Sequence, residues 1–478
     1  RTLAGNPPPD AMQDLDGQPA SLADAVARGH RTIQWLQDLV KHGTSAEAQE
    51  NALAALVLLA DDITHQSSKL LIGRMPGAIK DYVGIMGKKT HHGRSRTALL
   101  LLLSLTEGDP NTSGKKENMT VMVNEGVIEE VLELVTSNDF DLRNVALQLL
   151  YNIGLEGQHH SAMRDNNAIE VLMPFIDDFA PSAGKATAVQ YTNQALLLNA
   201  LYALVKSDHN IPCAGKYHTI EQERFVKIIA DTDCFPKLVH TFKFTANSEL
   251  RTAATVLLAE LSRENADVAE ILMSTTNKCT NIVTNCVRYL TTRGHAGTSH
   301  VLDTCKLIER LSSHCADYRT QFAEAGVVKE LLALPWINLP ASNALFTLVG
   351  LMRNNQEDIV ALAMQENIIP ICMEKLKMSV IGRQQRMNAC IIIERLTTTN
   401  PANAAHIVAA GAVPLLEAVA LASQMTKERQ RAIGAIVALA KCAGGAVDVS
   451  DSPAESHKRA RTTPQADVPV RVGRASIP

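Results

Sequence analysis

Three features of this 478-residue chain carry residue types that could do chemistry. The segment Ala180–Thr187, APSAGKAT, resembles the end of a loop that cradles phosphate with backbone N–H groups while a lysine reaches the outer phosphates. It lacks the opening glycine, and Lys185 is followed by Ala186 where the chemistry needs a hydroxyl. His91-His92 and His159-His160 are adjacent pairs. Neighbours in a helix point apart, so neither pair can close on one metal, and both read as solvated turn residues. Nine cysteines are scattered without a CxxC pair, and Cys279 and Cys286 stand seven apart, on one helical face, as core residues do. That usage fits buried free thiols in a reducing compartment. No HExxH and no paired Cys/His zinc spacing occurs. The expectation is no catalytic residue, no cofactor and no metal, hence not an enzyme.

Composition narrows the elements that position whatever site there is. Apolar residues make up 46% and aromatic ones only 4%. Leu, Ala, Val and Ile dominate, which suits closely packed helices and suits β-sandwiches poorly. A net charge of -4 gives no overall pull toward nucleic acid or an anionic membrane. The longest apolar runs, Leu53–Ala60 and Ala98–Leu103, fall short of the roughly 20 residues of a membrane span. The chain starts at Arg1 with no charged-then-apolar signal, so targeting at that end is unreadable. The expectation is a soluble cytoplasmic chain with no nucleic-acid partner and no membrane insertion.

Residues 1–20, with Pro7-Pro8-Pro9, read as a flexible leader. Helical patterning begins near Ser21 and runs through Ile33, Trp35, Leu36, Leu39 and Val40. A start signal then recurs: a small or polar residue, two apolar residues, and a helix. It stands in EGVIEEVLEL at Glu125, NNAIEVLMPF at Asn166, AGVVKELLAL at Ala325, ENIIPICMEK at Glu366 and AGAVPLLEAV at Ala410. Its marker positions, 126, 167, 326, 367 and 411, are separated by 41, 159, 41 and 44 residues. The long gap holds Cys234, a degenerate unit near Cys279, and a polar insertion over Lys206–Glu223. Each signal is followed by an Ala- and Leu-rich block with a common ending, as in LRNVALQLLYNIG from Leu142, LRTAATVLLAELS from Leu250 and MNACIIIERLT from Met387. One helical unit every roughly 40–47 residues is the signature of stacked helical repeats.

The unit resembles the armadillo repeat, best over Glu125–Gly157 and Ala410–Cys442 and fairly well over Ala325–Asn354. The resemblance covers residues 21–444, nearly the whole chain. It implies an all-α, right-handed α-solenoid of about nine armadillo-like repeats. In that family the last helix of each unit lines a concave groove, and the residue before the closing Leu-Ser-like pair faces it. Carried over, those positions are Ser104, Asn152, Ala203, Glu260, Arg310, Gly350, Arg395 and Ala438. The polar ones, Ser104, Asn152, Glu260, Arg310 and Arg395, are the expected partner-binding residues. They would meet an extended peptide or a helix of a protein partner. Importin-α-like receptors use paired Trp and Asn rungs. This chain has only Trp35 and Trp336, neither in a closing block, and Asn152 is the sole clear Asn rung. With Arg310 and Arg395 each preceded by glutamate, the sign is mixed, unlike the basic groove of β-catenin.

The expected function is therefore a non-enzymatic scaffold or adaptor that binds protein, as a member of a larger complex. Two alternatives stand beside it: a co-chaperone of the myosin-directed or Hsp70-associated armadillo type, and a structural subunit of a ciliary or cytoskeletal assembly. The loops Gly108–Asn118 and Lys206–Glu223 would extend the binding surface. Residues 445–478 lose periodicity and read as a disordered tail. Within it Lys458, Arg459 and Arg461 form a short basic cluster that fits a nuclear-localisation element, making the nucleus a second compartment.

Overall fold

Six of the helical groups turn on a residue with a left-handed backbone. Gly77, Gly126, Gly326 and Gly411 have φ between 74 and 90°, and Asn167 and Asn367 hold the same corner at 53 and 61°. Glycine has no Cβ to clash there, and asparagine visits the region more readily than other side chains. The N–H of the corner residue closes the helix before it: Gly126 N to Val123 O is 3.2 Å, and Asn367 N to Met364 O is 3.1 Å. Its carbonyl opens the helix after it, accepting from Glu330 N at Gly326 (3.1 Å) and from Val171 N at Asn167 (3.0 Å). One residue thus ends one helix and begins the next. The helices on either side of Gly411 are bent by 75°.

The structure is a computed structural model that describes residues 22–61, 66–87, 92–108, 114–179, 188–206, 234–244, 247–263, 265–274, 282–291, 299–334, 339–354, 356–378, 382–423 and 425–442. Among them all extended regular structure is helical, without a strand. The leader, the tail with Lys458, Arg459 and Arg461, the segment Ala180–Thr187, His91, Trp336 and residues 207–223 lie outside the described residues. The chain divides into two compact units, Arg1–Leu351 and Met352–Pro478.

The first unit opens with α1 (Leu22–His42) and α2 (Ala46–Asp61). Groups of three follow: α3 (Gln66–Arg74), α4 (Ala78–Met86), α5 (His92–Leu105), then α6 (Lys115–Asn124), α7 (Val127–Val135), α8 (Phe140–Gly154). In the next group α9 (His160–Asp165) leads to α10 (Ala168–Leu172), which runs on as a 3-10 helix, Met173–Phe179, before α11 (Ala188–Val205). Then come α12 (Cys234–Phe244) and α13 (Ser248–Leu261), followed by α14 (Ala266–Met273), α15 (Ile282–Thr291) and α16 (Ser299–His314). The last group is α17 (Ala316–Glu324), α18 (Val327–Leu332) and α19 (Leu339–Leu351). The closing helices α2, α5, α8, α11, α13, α16 and α19 pack side by side in that order. The middle helices form a second layer, with α4 on α7, α7 on α10, α12 on α15 and α15 on α18.

The second unit repeats the plan with α20 (Glu357–Gln365), α21 (Ile368–Leu376) and α22 (Arg383–Thr399), then α23 (Asn403–Ala409), α24 (Ala412–Ala422) and α25 (Thr426–Cys442). Here α22 packs on α25 and α21 on α24.

Burial follows the three- and four-residue spacing of the apolar positions. On α7 Val127, Ile128, Val131, Leu132 and Val135 are buried, and on α8 Leu142, Leu149, Leu150 and Ile153. Each such side chain contributes about 1.5–3 kcal/mol by leaving water. The closing helices end against solvent-poor neighbours, where free carbonyls need donors. The next first helix supplies them: Asn118 Nδ2 donates to Leu105 O (3.2 Å), and a ring N–H of His160 to Gly154 O (2.8 Å). Arg319 Nη1 donates to Ser312 O (2.9 Å) and Asn403 Nδ2 to Leu396 O (2.9 Å).

Candidate functional site

The layer of closing helices in the first unit carries a strip of polar side chains from four successive helices. Tyr151 of α8 and Tyr202 of α11 are half-buried. Burial pushes the Tyr202 hydroxyl up to about 12, and Glu260, Tyr151 and Asp303 add to the rise while Arg263 opposes it. That these groups act on one phenol puts them in one neighbourhood. Glu260 of α13 pairs with Arg263, just past the end of that helix, at 3.0 Å, and Asp303 with Lys306 on α16 at 2.9 Å. Glu309 lies 3.4 Å from Arg310. Gly350 of α19 lies against the Glu309 stem, which a Cβ there would meet at 3.4 Å, an ordinary contact.

The expected rungs fall into two sorts. Ser104 is 6% exposed, and its hydroxyl donates to Asp61 Oδ1 at 2.6 Å, tying α5 to the end of α2. Asn152 is 7% exposed; its Nδ2 donates to Thr106 Oγ1 at 2.8 Å and its Oδ1 accepts from Gln148 at 3.2 Å. Both side chains are engaged within the fold. Glu260 and Arg310 lie on the strip, Arg310 with 34% of its side chain exposed. Arg395 is half-buried on α22 of the second unit. Ala203 and Ala438 are buried.

A cleft of about 360 Å³ opens between the first turns of α8 and α11. Phe140, Arg143 and Leu147 line it from α8, at three- and four-residue spacing. Gln190, Asn193, Gln194 and Leu197 line it from one face of α11. Asn138, Val135 and Phe175 complete the wall. Asp139 starts α8, its carboxylate accepting from Asp141 N (3.0 Å) and Leu142 N (3.2 Å), which fixes where Phe140 and Arg143 project. The Arg143 guanidinium lies over two rings, 5.3 Å from the Phe140 centroid and 5.0 Å from that of Phe175. Its Nη2 donates to Ser137 O at 2.6 Å. Sequence reading did not single out this cleft; its one local signal is the polar spacing 190, 193, 194 on an otherwise apolar helix.

The histidine expectation is corrected. His159 and His160 are each 5% exposed, not solvated. The cause is the carbonyl cap from His160 onto α8, which draws the turn inward. Burial also lowers the His159 pKa, against an opposing pull from Glu156. Cys286, Cys305, Cys372 and Cys390 are buried free thiols, while Cys315 and Cys442 are partly exposed. Among the described residues no group of three or more His, Cys, Asp or Glu could hold a metal ion, and no single helix is long and apolar enough to cross a membrane.

No family model and no curated protein matches the chain. Solved structures do. An engineered protein from the Northeast Structural Genomics Consortium aligns with a TM-score of 0.59 and 16% identity, over 85% of this chain and 98% of that one. A second engineered protein from the same consortium aligns with a TM-score of 0.45 and 19% identity, over 58% of this chain and 97% of that one. The first likeness concerns the fold alone, an all-α architecture of repeated helices.

Proposed function

We propose that this chain is a non-enzymatic protein-binding scaffold of armadillo type, a right-handed solenoid of about nine repeats working in the cytoplasm. The observation that carries the reading is the strip running over α8, α11, α13 and α16, helices that pack side by side and bring Tyr151, Glu260 and Asp303 to bear on Tyr202. A polar strip at one register of stacked helices is the surface an extended segment can follow, each helix meeting a successive part of it. Two tyrosines supply flat apolar contact with a polar end, and the ion pairs beside them supply orientation rather than bulk affinity. The thiols support a role without covalent chemistry: burial holds Cys305, Cys372 and Cys390 up at about 12, far from a nucleophilic thiolate.

The test is site-specific photo-crosslinking in cells of origin, with the photoreactive residue at Tyr202 or Arg310 on the strip or at the exposed Glu129 of α7. The expected outcome is a discrete crosslinked partner from the two strip positions and none from Glu129. Equal crosslinking from all three would remove the strip as the binding face.

A further inference from the structure

We propose that the cleft between α8 and α11 recognises an oxyanion, a carboxylate or a phosphate ester, carried on an apolar or aromatic body. The Arg143 guanidinium makes three contacts: the faces of Phe140 and Phe175, and Ser137 O. None is anionic. Its Nε is buried and has no acceptor. A guanidinium within about 5 Å of two ring centroids is partly shielded from water, while its N–H donors point along its own plane. A cation held there without a counter-charge favours an anion that can accept in that plane.

The rest of the wall fits the same ligand. Among the described residues no aspartate or glutamate lines the cleft. The side chains of Asn138, Gln190 and Gln194 make that part of the wall polar and uncharged. The buried Leu147 and Leu197 give the wall an apolar surface for the body of the ligand, beside Phe140, which is 45% exposed. A volume of about 360 Å³ suits one side chain or a ligand of similar size. A cationic ligand would meet Arg143 and be turned away. The inference does not depend on the strip being a binding face.

Ligand-observed NMR on the full chain tests it with three probes of one shape: phenylacetate, phenyl phosphate and neutral phenylacetamide. One or both anions should bind at least tenfold more tightly than the amide, and the stronger of the two tells carboxylate from phosphate ester. R143Q should abolish that preference. Because R143Q could disturb packing, Q190E is the second variant; Gln190 is exposed, and a carboxylate there should weaken anion binding at least fivefold while the circular dichroism melt stays unchanged. Equal binding of acid and amide, or an anion preference intact in both variants, would overturn the assignment.

Discussion

Replacing Gly326 by alanine and, separately, by asparagine isolates the backbone corner from everything around it. Gly326 sits at φ 90, ψ 13, and a Cβ added there meets nothing within 4 Å. Packing therefore contributes no penalty, and only the left-handed conformation does, about 1–2 kcal/mol for an ordinary L-residue. Alanine also stiffens the unfolded chain, which returns about 0.4–1 kcal/mol. The net expectation for Gly326→Ala is a loss of about 0.5–1.5 kcal/mol. Gly326→Asn should be close to neutral, since this chain itself places asparagine at the equivalent corners 167 and 367. The reverse swap at Asn367 should behave alike, with glycine tolerated and alanine costly. Urea midpoints at constant slope report the difference, and hydrogen exchange over residues 316–332 locates it. If alanine and asparagine prove indistinguishable at Gly326, the left-handed corner is not what sets the helix junction.

Three further expectations concern the interior. Glu428→Ala removes the carboxylate paired with Arg386 at 2.7 Å, where the two side chains are only 3% and 11% exposed, and should cost about 3–5 kcal/mol in a thermal melt; a melt unchanged from wild type would mean the pair is solvated. Leu149→Ala, at a fully buried position on α8, should cost about 2–5 kcal/mol by lost burial and a residual cavity, and a smaller shift would mean its helix face is misassigned. Iodoacetamide pulses read by peptide mass spectrometry should modify Cys315 and Cys442 at pH 8 but leave Cys286, Cys305, Cys372 and Cys390 untouched. Their raised pKa values keep them as neutral thiols until pH approaches the folded values, so fast labelling of Cys372 at pH 8 would refute the burial.

The corners were the most legible part of the fold. Positions 126, 167, 326, 367 and 411 stand out in the sequence, and all five have positive φ, because a left-handed backbone restricts the residue types that can occupy it. Helix faces were legible for a related reason: burial tracks a local period. The binding surface was not. Ser104 and Asn152 have the polar character of groove residues, yet their partners are Asp61 and Thr106, 43 and 46 residues away, which only the register between helices decides. Arg143 and Phe175 meet across a 3-10 extension of α10 that carries no distinct sequence mark. The side-chain caps on closing carbonyls are likewise set by how one group seats on the next.

Those caps make the chain directional. Because Asn118, His160, Arg319 and Asn403 each serve the carbonyl end of the helix that precedes them, a polypeptide shortened just after a closing helix exposes acceptors its missing successor would have covered. Fraying should start from that carboxyl-terminal cut and travel backward, one group at a time. The sound place to divide such a protein is past the following first helix, so that every fragment carries its own lid.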